Sequence, residues 1–157
     1  MKSTHARAAA EIRAKLKANG IKASVRSESY SGGSSVRVYL TDPMPAVVNQ
    51  VTEFAERYQY GSFDGMQDLY EYTNVNKDLP QVKYVFVECH YSDQLRQAAW
   101  DHIRDWYCLG DDVTTDANQA HKVRIDDVWG SCVIHRVLGG RECNLWQQLK
   151  PRVRVAA

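Results

Sequence analysis

The sequence lacks the marks of several specialised classes. No apolar run approaches the roughly 20 residues that cross a bilayer, so no transmembrane helix is expected. The first residues are charged and helix-forming rather than an apolar leader core, and the expected setting is the cytoplasm. The four cysteines, Cys89, Cys108, Cys132 and Cys143, form no Cys-x-x-Cys pair, which argues against a disulfide framework and favours small buried thiols. Neither charge dominates. Twenty Lys and Arg against nineteen Asp and Glu leave +1, which excludes both a histone-like neutraliser of DNA and an acidic mimic of it. There is no internal repeat and no low-complexity segment.

What is present is ordinary globular chemistry. A chain of 157 residues, 44% hydrophobic and 25% charged, can bury a core without metal or disulfide. Charge is distributed unevenly. Residues 1–26 carry +6, 27–75 carry −5, 76–112 carry −3 and 113–157 carry +3. The basic ends either form a face opposite the acidic middle or pack against it.

Periodicity predicts the elements. Ala8, Ile12 and Leu16 recur at steps of four in a helix that Ser3 or Thr4 can cap and Asn19-Gly20 ends. Ala23 and Val25, then Val36, Val38 and Leu40, alternate with polar residues as half-buried strands around Ser31-Gly32-Gly33-Ser34-Ser35. Pro45 opens a second helix whose buried face is Val47, Val51, Phe54 and Tyr58. A strand is expected at 69–73, and another at 82–89, apolar on both faces and therefore expected to be central in its sheet. Ser92 caps a third helix with Leu95, Ala99, Ile103 and Trp106 on its face. Residues 111–120 read as an exposed linker. Strands are expected at 122–126 and 132–138, and a helical turn at 145–149. The four tryptophans, Trp100, Trp106, Trp129 and Trp146, are expected in packing positions.

This order predicts an α+β fold, with helices packed on one face of a mainly antiparallel sheet. The expected core domain spans 1–110, and a mixed C-terminal extension, 111–157, packs on it.

Several motifs together resemble a known module. They are Val25-Arg26-Ser27, Tyr30-Ser31-Gly32-Gly33-Ser34-Ser35, Asp42, and Gly61-Ser62-Phe63-Asp64-Gly65-Met66-Gln67-Asp68 followed by Tyr70-Glu71-Tyr72. Val82-Lys83-Tyr84-Val85-Phe86-Val87 completes the set. Over roughly residues 5–110 the chain is similar to the large polyvalent protein associated domain 29. The resemblance implies a polyvalent-protein module of phages, conjugative plasmids and integrative elements, in proteins thought to enter a new host with the DNA and help counter its defences. It supplies no catalytic residues.

The residues themselves offer several sites, each with a plain structural alternative. Ser31-Gly32-Gly33-Ser34-Ser35 can cradle an anion or simply turn a hairpin; it lacks the lysine and helix of a P-loop. Asp64, Asp68 and Glu71 can face a basic partner or a cation, or shape a turn; the spacing is not that of an EF-hand. Cys89, His90, His102, Cys108, Cys132 and His135 do not form a convincing zinc set, because Cys89 and His90, and Cys132 and His135, point to opposite faces of extended segments. No Gly-x-Ser-x-Gly elbow is present. Arg26, Tyr30, Arg37 and Tyr39 flank the hairpin, and aromatic residues with arginine on a strand surface can anchor a protein or stack bases.

The expectation is a non-enzymatic accessory protein with no cofactor and no metal, of the anti-restriction or anti-CRISPR kind that the resemblance suggests. It would bind a host defence protein or nucleoprotein complex through Arg26, Tyr30, Ser31, Gly32, Gly33, Arg37, Tyr39, Asp64, Asp68 and Glu71, without a membrane partner. The alternative is a DNA-associated module in conjugation, replication or regulation, using Arg13, Lys15, Lys17, Arg152 and Arg154 on phosphates. A small enzyme acting on nucleotides or a host protein is the third reading.

Overall fold

The computed structural model describes residues 3–139. The chain divides into two units, the first ending at His90 and the second beginning at Tyr91. The expected boundary at 110 differs because the third helix packs with residues that follow it. Arg152, Arg154 and the turn expected at 145–149 lie outside the described residues.

The first unit contains α1 (Thr4–Ala18), β1 (Ala23–Tyr30), β2 (Gly33–Thr41), α2 (Pro45–Glu56), β3 (Ser62–Asp64), β4 (Leu69–Glu71) and β5 (Tyr84–His90). Gly20, at φ 70°, takes the left-handed conformation that ends α1. β1 pairs antiparallel with β2 along its whole length, from Ala23 opposite Leu40 to Tyr30 opposite Gly33, so only Ser31-Gly32 turns the hairpin, with Gly32 at φ 94°. The chain crosses over through α2 and the β3–β4 hairpin, then returns β5 parallel to β2. The sheet order is β1-β2-β5.

The fold class is α+β, as the sequence predicts. Val25, Val36, Val38 and Leu40 bury one face of the sheet together with Ile12 and Leu16 of α1 and Val51 of α2. The other face carries no helix of this unit. The central strand is β2, and β5 is an edge, contrary to expectation. β5 reads as apolar on both sides because Tyr84 and Phe86 face outward while Val85 and Val87 face the core. Large rings stand in for the polar residues that would otherwise mark a solvent face.

In the second unit α3 (Asp93–Trp106) is capped by Ser92, whose Oγ accepts from the Leu95 N–H. A 3-10 helix (Ala117–Lys122), β6 (Arg124–Ile125), β7 (Val128–Trp129) and α4 (Gly130–Leu138) follow. The strand expected at 132–138 is this helix. Val133, Ile134, Val137 and Leu138 are buried at helical steps, not at alternate positions. The linker expected at 111–120 runs into the 3-10 helix, where Ala117 and Ala120 are buried. Trp100 is fully enclosed, whereas Trp106 and Trp129, expected in packing positions, are 58% and 46% exposed. Trp146 lies outside the described residues.

Candidate partner-binding face

Strand alternation dictates the uncovered face of the first unit. Arg26, Glu28 and Tyr30 of β1, Ser35, Arg37 and Tyr39 of β2, and Tyr84, Phe86, Glu88 and His90 of β5 all point to it. Register puts Arg26 directly opposite Arg37, an arrangement that costs stability unless the charges are engaged elsewhere. They are. The Arg37 guanidinium lies 4.7 Å from the centroid of the Phe86 ring, and its Nη1 donates to Glu88 Oε1 at 2.5 Å. That bond holds the Arg37 proton more firmly than usual. Arg26 lies 5.9 Å from the Tyr39 ring centroid, and Tyr39 stacks on His90. Arg26, Ser27, Glu28, Ser35, Arg37 and Tyr39 line an open hollow of about 300 Å³.

The rings continue past the sheet. Phe86 stacks on Tyr84, Tyr84 meets Tyr70 edge-on, and Tyr70 and Tyr72 both pack against Tyr60. Centroid separations of 5.5–5.9 Å place all five rings in favourable contact. The Lys83 ammonium lies 5.1 Å from the Tyr70 centroid and 5.6 Å from that of Tyr84, and donates to the Gly32 carbonyl at 3.3 Å. Six of the nine tyrosines, Tyr30, Tyr39, Tyr60, Tyr70, Tyr72 and Tyr84, belong to this face or its continuation.

Polar latches hold the hairpin that carries Tyr70 and Tyr72. The Tyr70 hydroxyl donates to the Lys83 carbonyl at 2.6 Å. Asn74 Nδ2 donates to the Glu56 and Gln59 carbonyls, and Gln81 Nε2 to those of Arg57 and Asn74. Gly61 lies against the far strand: an added Cβ would overlap the Glu71 carbonyl oxygen and lie 2.7 Å from Tyr70 Cε1. Gly61→Ala is expected to cost about 1–3 kcal/mol in urea unfolding, the range for a forced backbone shift, and to displace the Tyr60–Tyr70 contact.

Partial burial, reinforced by the neighbouring Tyr60, Tyr84, Tyr72 and Tyr30 hydroxyls, pushes Tyr70 up to about 12. Burial also raises Tyr30 and Tyr60. The folded protein therefore keeps protons that the unfolded chain releases near pH 10. The stability involved is fully present below about pH 10 and falls as pH rises toward 12. Urea unfolding at about pH 9 and about pH 11 should show this fall, and Tyr70→Phe should reduce it.

The other candidate residues are placed as follows. The Ser31-Gly32 tip is a tight turn, and a Cβ on Gly33 would meet the Lys83 side chain at 2.8 Å, so its bare Cα makes room for that lysine. Asp64 Oδ1 accepts from the Met66 N–H at 2.8 Å and Asp68 adopts φ 53°, so both shape the β3–β4 turn. Pairing sets Phe63 and Tyr70 on one face of that hairpin, and Asp64, Leu69 and Glu71 on the other. Met66 at its tip is 96% exposed. Arg13 reaches from α1 to donate to the Val25 carbonyl at 2.5 Å, while Lys15 and Lys17 are exposed in the last turn of α1. Cys132 and His135 share a helix, three residues apart, rather than opposite faces of a strand. Among the described residues no group of three His, Cys, Asp or Glu is placed to hold a metal ion. No helix among them is long and apolar enough to cross a membrane.

Tyr60, Tyr70, Tyr72, Tyr84, Phe86 and Lys83 were not among the candidate site residues read from the sequence, although all but Tyr60 lie in the motifs that carry the resemblance. The available signal was Tyr70-x-Tyr72 and Tyr84-x-Phe86, two aromatic pairs at the spacing that shares one strand face.

The first unit is thus a small α+β module with one helix-covered sheet face and one open face of rings and arginines. Residues 3–104 match the family model of the large polyvalent protein associated domain 29, and the chain belongs to that family. Membership makes it a polyvalent-protein module of phages and mobile elements. The match covers the described part of the first unit and most of α3. No curated protein and no solved structure matches the chain.

Proposed function

We propose that this chain is a non-enzymatic accessory protein of a phage or mobile element, a counter-defence inhibitor that works in the host cytoplasm. It binds a host defence protein or nucleoprotein complex stoichiometrically through the open sheet face. The observation that carries the reading is the run Phe86–Tyr84–Tyr70–Tyr60–Tyr72, bordered by Arg37, Arg26 and Lys83. Tyrosine and arginine are the residues that most often anchor protein interfaces, because they bury large area and keep a polar tip for hydrogen bonding. The charges on this face are mixed: Glu28 and Glu88 accompany Arg26, Arg37 and Lys83. That balance suits a protein surface better than a bare phosphate backbone. Family membership supplies the setting.

The test is a pull-down of the tagged chain from bacterial host lysate, with and without nuclease, read by mass spectrometry. A defence protein retained after nuclease treatment supports the proposal. Retention that disappears with nuclease transfers the assignment to the DNA-associated alternative. That alternative is favoured by the exposed Lys15 and Lys17 and by the hollow that Arg13, Lys17 and Lys22 share at the end of α1. It also predicts affinity that falls steeply with salt.

A further inference from the structure

The β1 edge of the sheet carries its own pattern. Ser31-Gly32 is a two-residue turn, which makes Tyr30 and Gly33 a hydrogen-bonded pair. Alternation then directs the main-chain groups of Glu28, Arg26 and Ser24 toward β2, and those of Ser29, Ser27 and Val25 toward the open side. The bond from Arg13 Nη2 to the Val25 carbonyl agrees, since that carbonyl points away from β2. Arg13 thus covers one end of the edge, while residues 26–30 are all exposed. The opposite edge is treated likewise, with the Val85 N–H donating to Gln59 Oε1 at 2.7 Å.

We propose that β1 is a self-pairing edge, joining β1 of a second copy of this chain antiparallel about a two-fold axis at Ser27. The argument is charge complementarity. Arg26 and Glu28 sit two residues apart on the same face, either side of Ser27. A two-fold centred on Ser27 sets Arg26 of each copy opposite Glu28 of the other, giving two reciprocal pairs. The neighbouring two-fold registers, centred on Arg26 or on Glu28, set like charges opposite each other and are disfavoured. Ser27 then exchanges both main-chain hydrogen bonds with its counterpart. The result is a six-stranded sheet in which the two open faces lie side by side. The inference stands on the edge alone and does not depend on what the open face binds.

The test is the oligomeric state of the full chain by light scattering over a concentration series. Wild type is expected to be a dimer. Arg26→Glu and Glu28→Arg should each raise the dimer dissociation constant by about tenfold or more, as both cross-strand pairs become repulsive. An equimolar mixture of the two variants should recover dimer, because each supplies the charge the other lacks. Ser27→Pro should give a monomer with unchanged circular dichroism, since the N–H it removes does not pair with β2. A wild type that stays monomeric, including one that captures an extended peptide instead, overturns the proposal. So does a dimer that survives Ser27→Pro, or a mixture of charge variants that stays monomeric.

Discussion

Trp100→Ala is expected to lower the stability of the second unit by about 3–5 kcal/mol, the range for emptying a large buried aromatic site. Trp100 is fully buried at the centre of that unit's core, among Leu95, Ile103, Ile134 and Val137. Its Nε1 donates to the Thr114 carbonyl at 2.9 Å, so the ring also fixes the segment that leads into the 3-10 helix. Gly130, where α4 begins, lies against the ring: an added Cβ would sit 2.9 Å from Trp100 Cζ3 and 2.8 Å from the Ala120 carbonyl oxygen. Gly130→Ala is therefore expected to cost about 1–3 kcal/mol in the wild type. In the Trp100→Ala background part of that crowding is gone, so the two costs should add to less than their sum. Urea unfolding of the two single variants and the double variant measures this. Full additivity would show that the ring and the glycine are not in the close packing described.

Tyr84→Ala combined with Phe86→Ala is expected to weaken partner binding by about a hundredfold while lowering stability by about 1–3 kcal/mol through the lost ring contacts, without unfolding the first unit. Phe86 is 39% exposed, and both rings stand on the face opposite the core residues Val85 and Val87. Their removal leaves the buried sheet face intact. It also takes away the ring under Arg37 and the link between Phe86 and Tyr70, so several anchors fail together. Replacing Lys15 and Lys17 with Glu should leave binding to the retained protein unchanged, because these residues lie at the end of α1. Loss of binding from the lysine variant alone would favour the nucleic-acid alternative.

Much of the first unit was legible because its elements obey simple periods. Ile12 and Leu16, Val51 and Tyr58, and Val36, Val38 and Leu40 all occupy the buried positions that their spacing predicts. The misreadings have physical causes. β5 looks central because Tyr84 and Phe86 count as apolar, whereas their rings form an exposed face at the sheet edge. Residues 132–138 look like a strand because β-branched Val133, Ile134 and Val137 favour one, yet packing against α3 selects the helix. The candidate site was half visible. Arg26, Tyr30, Arg37 and Tyr39 follow from strand alternation, but Tyr60, Tyr70 and Tyr72 join them only through the crossover and its polar latches. Spacing along a chain carries no record of such long-range placement.

The most direct test is radical footprinting of exposed side chains with and without the partner recovered from nuclease-treated lysate. The account predicts protection of Tyr72, Tyr84 and Phe86, with Met44, exposed in the free chain, labelled as before. Protection of Met44 with Tyr84 and Phe86 still fully labelled would contradict it.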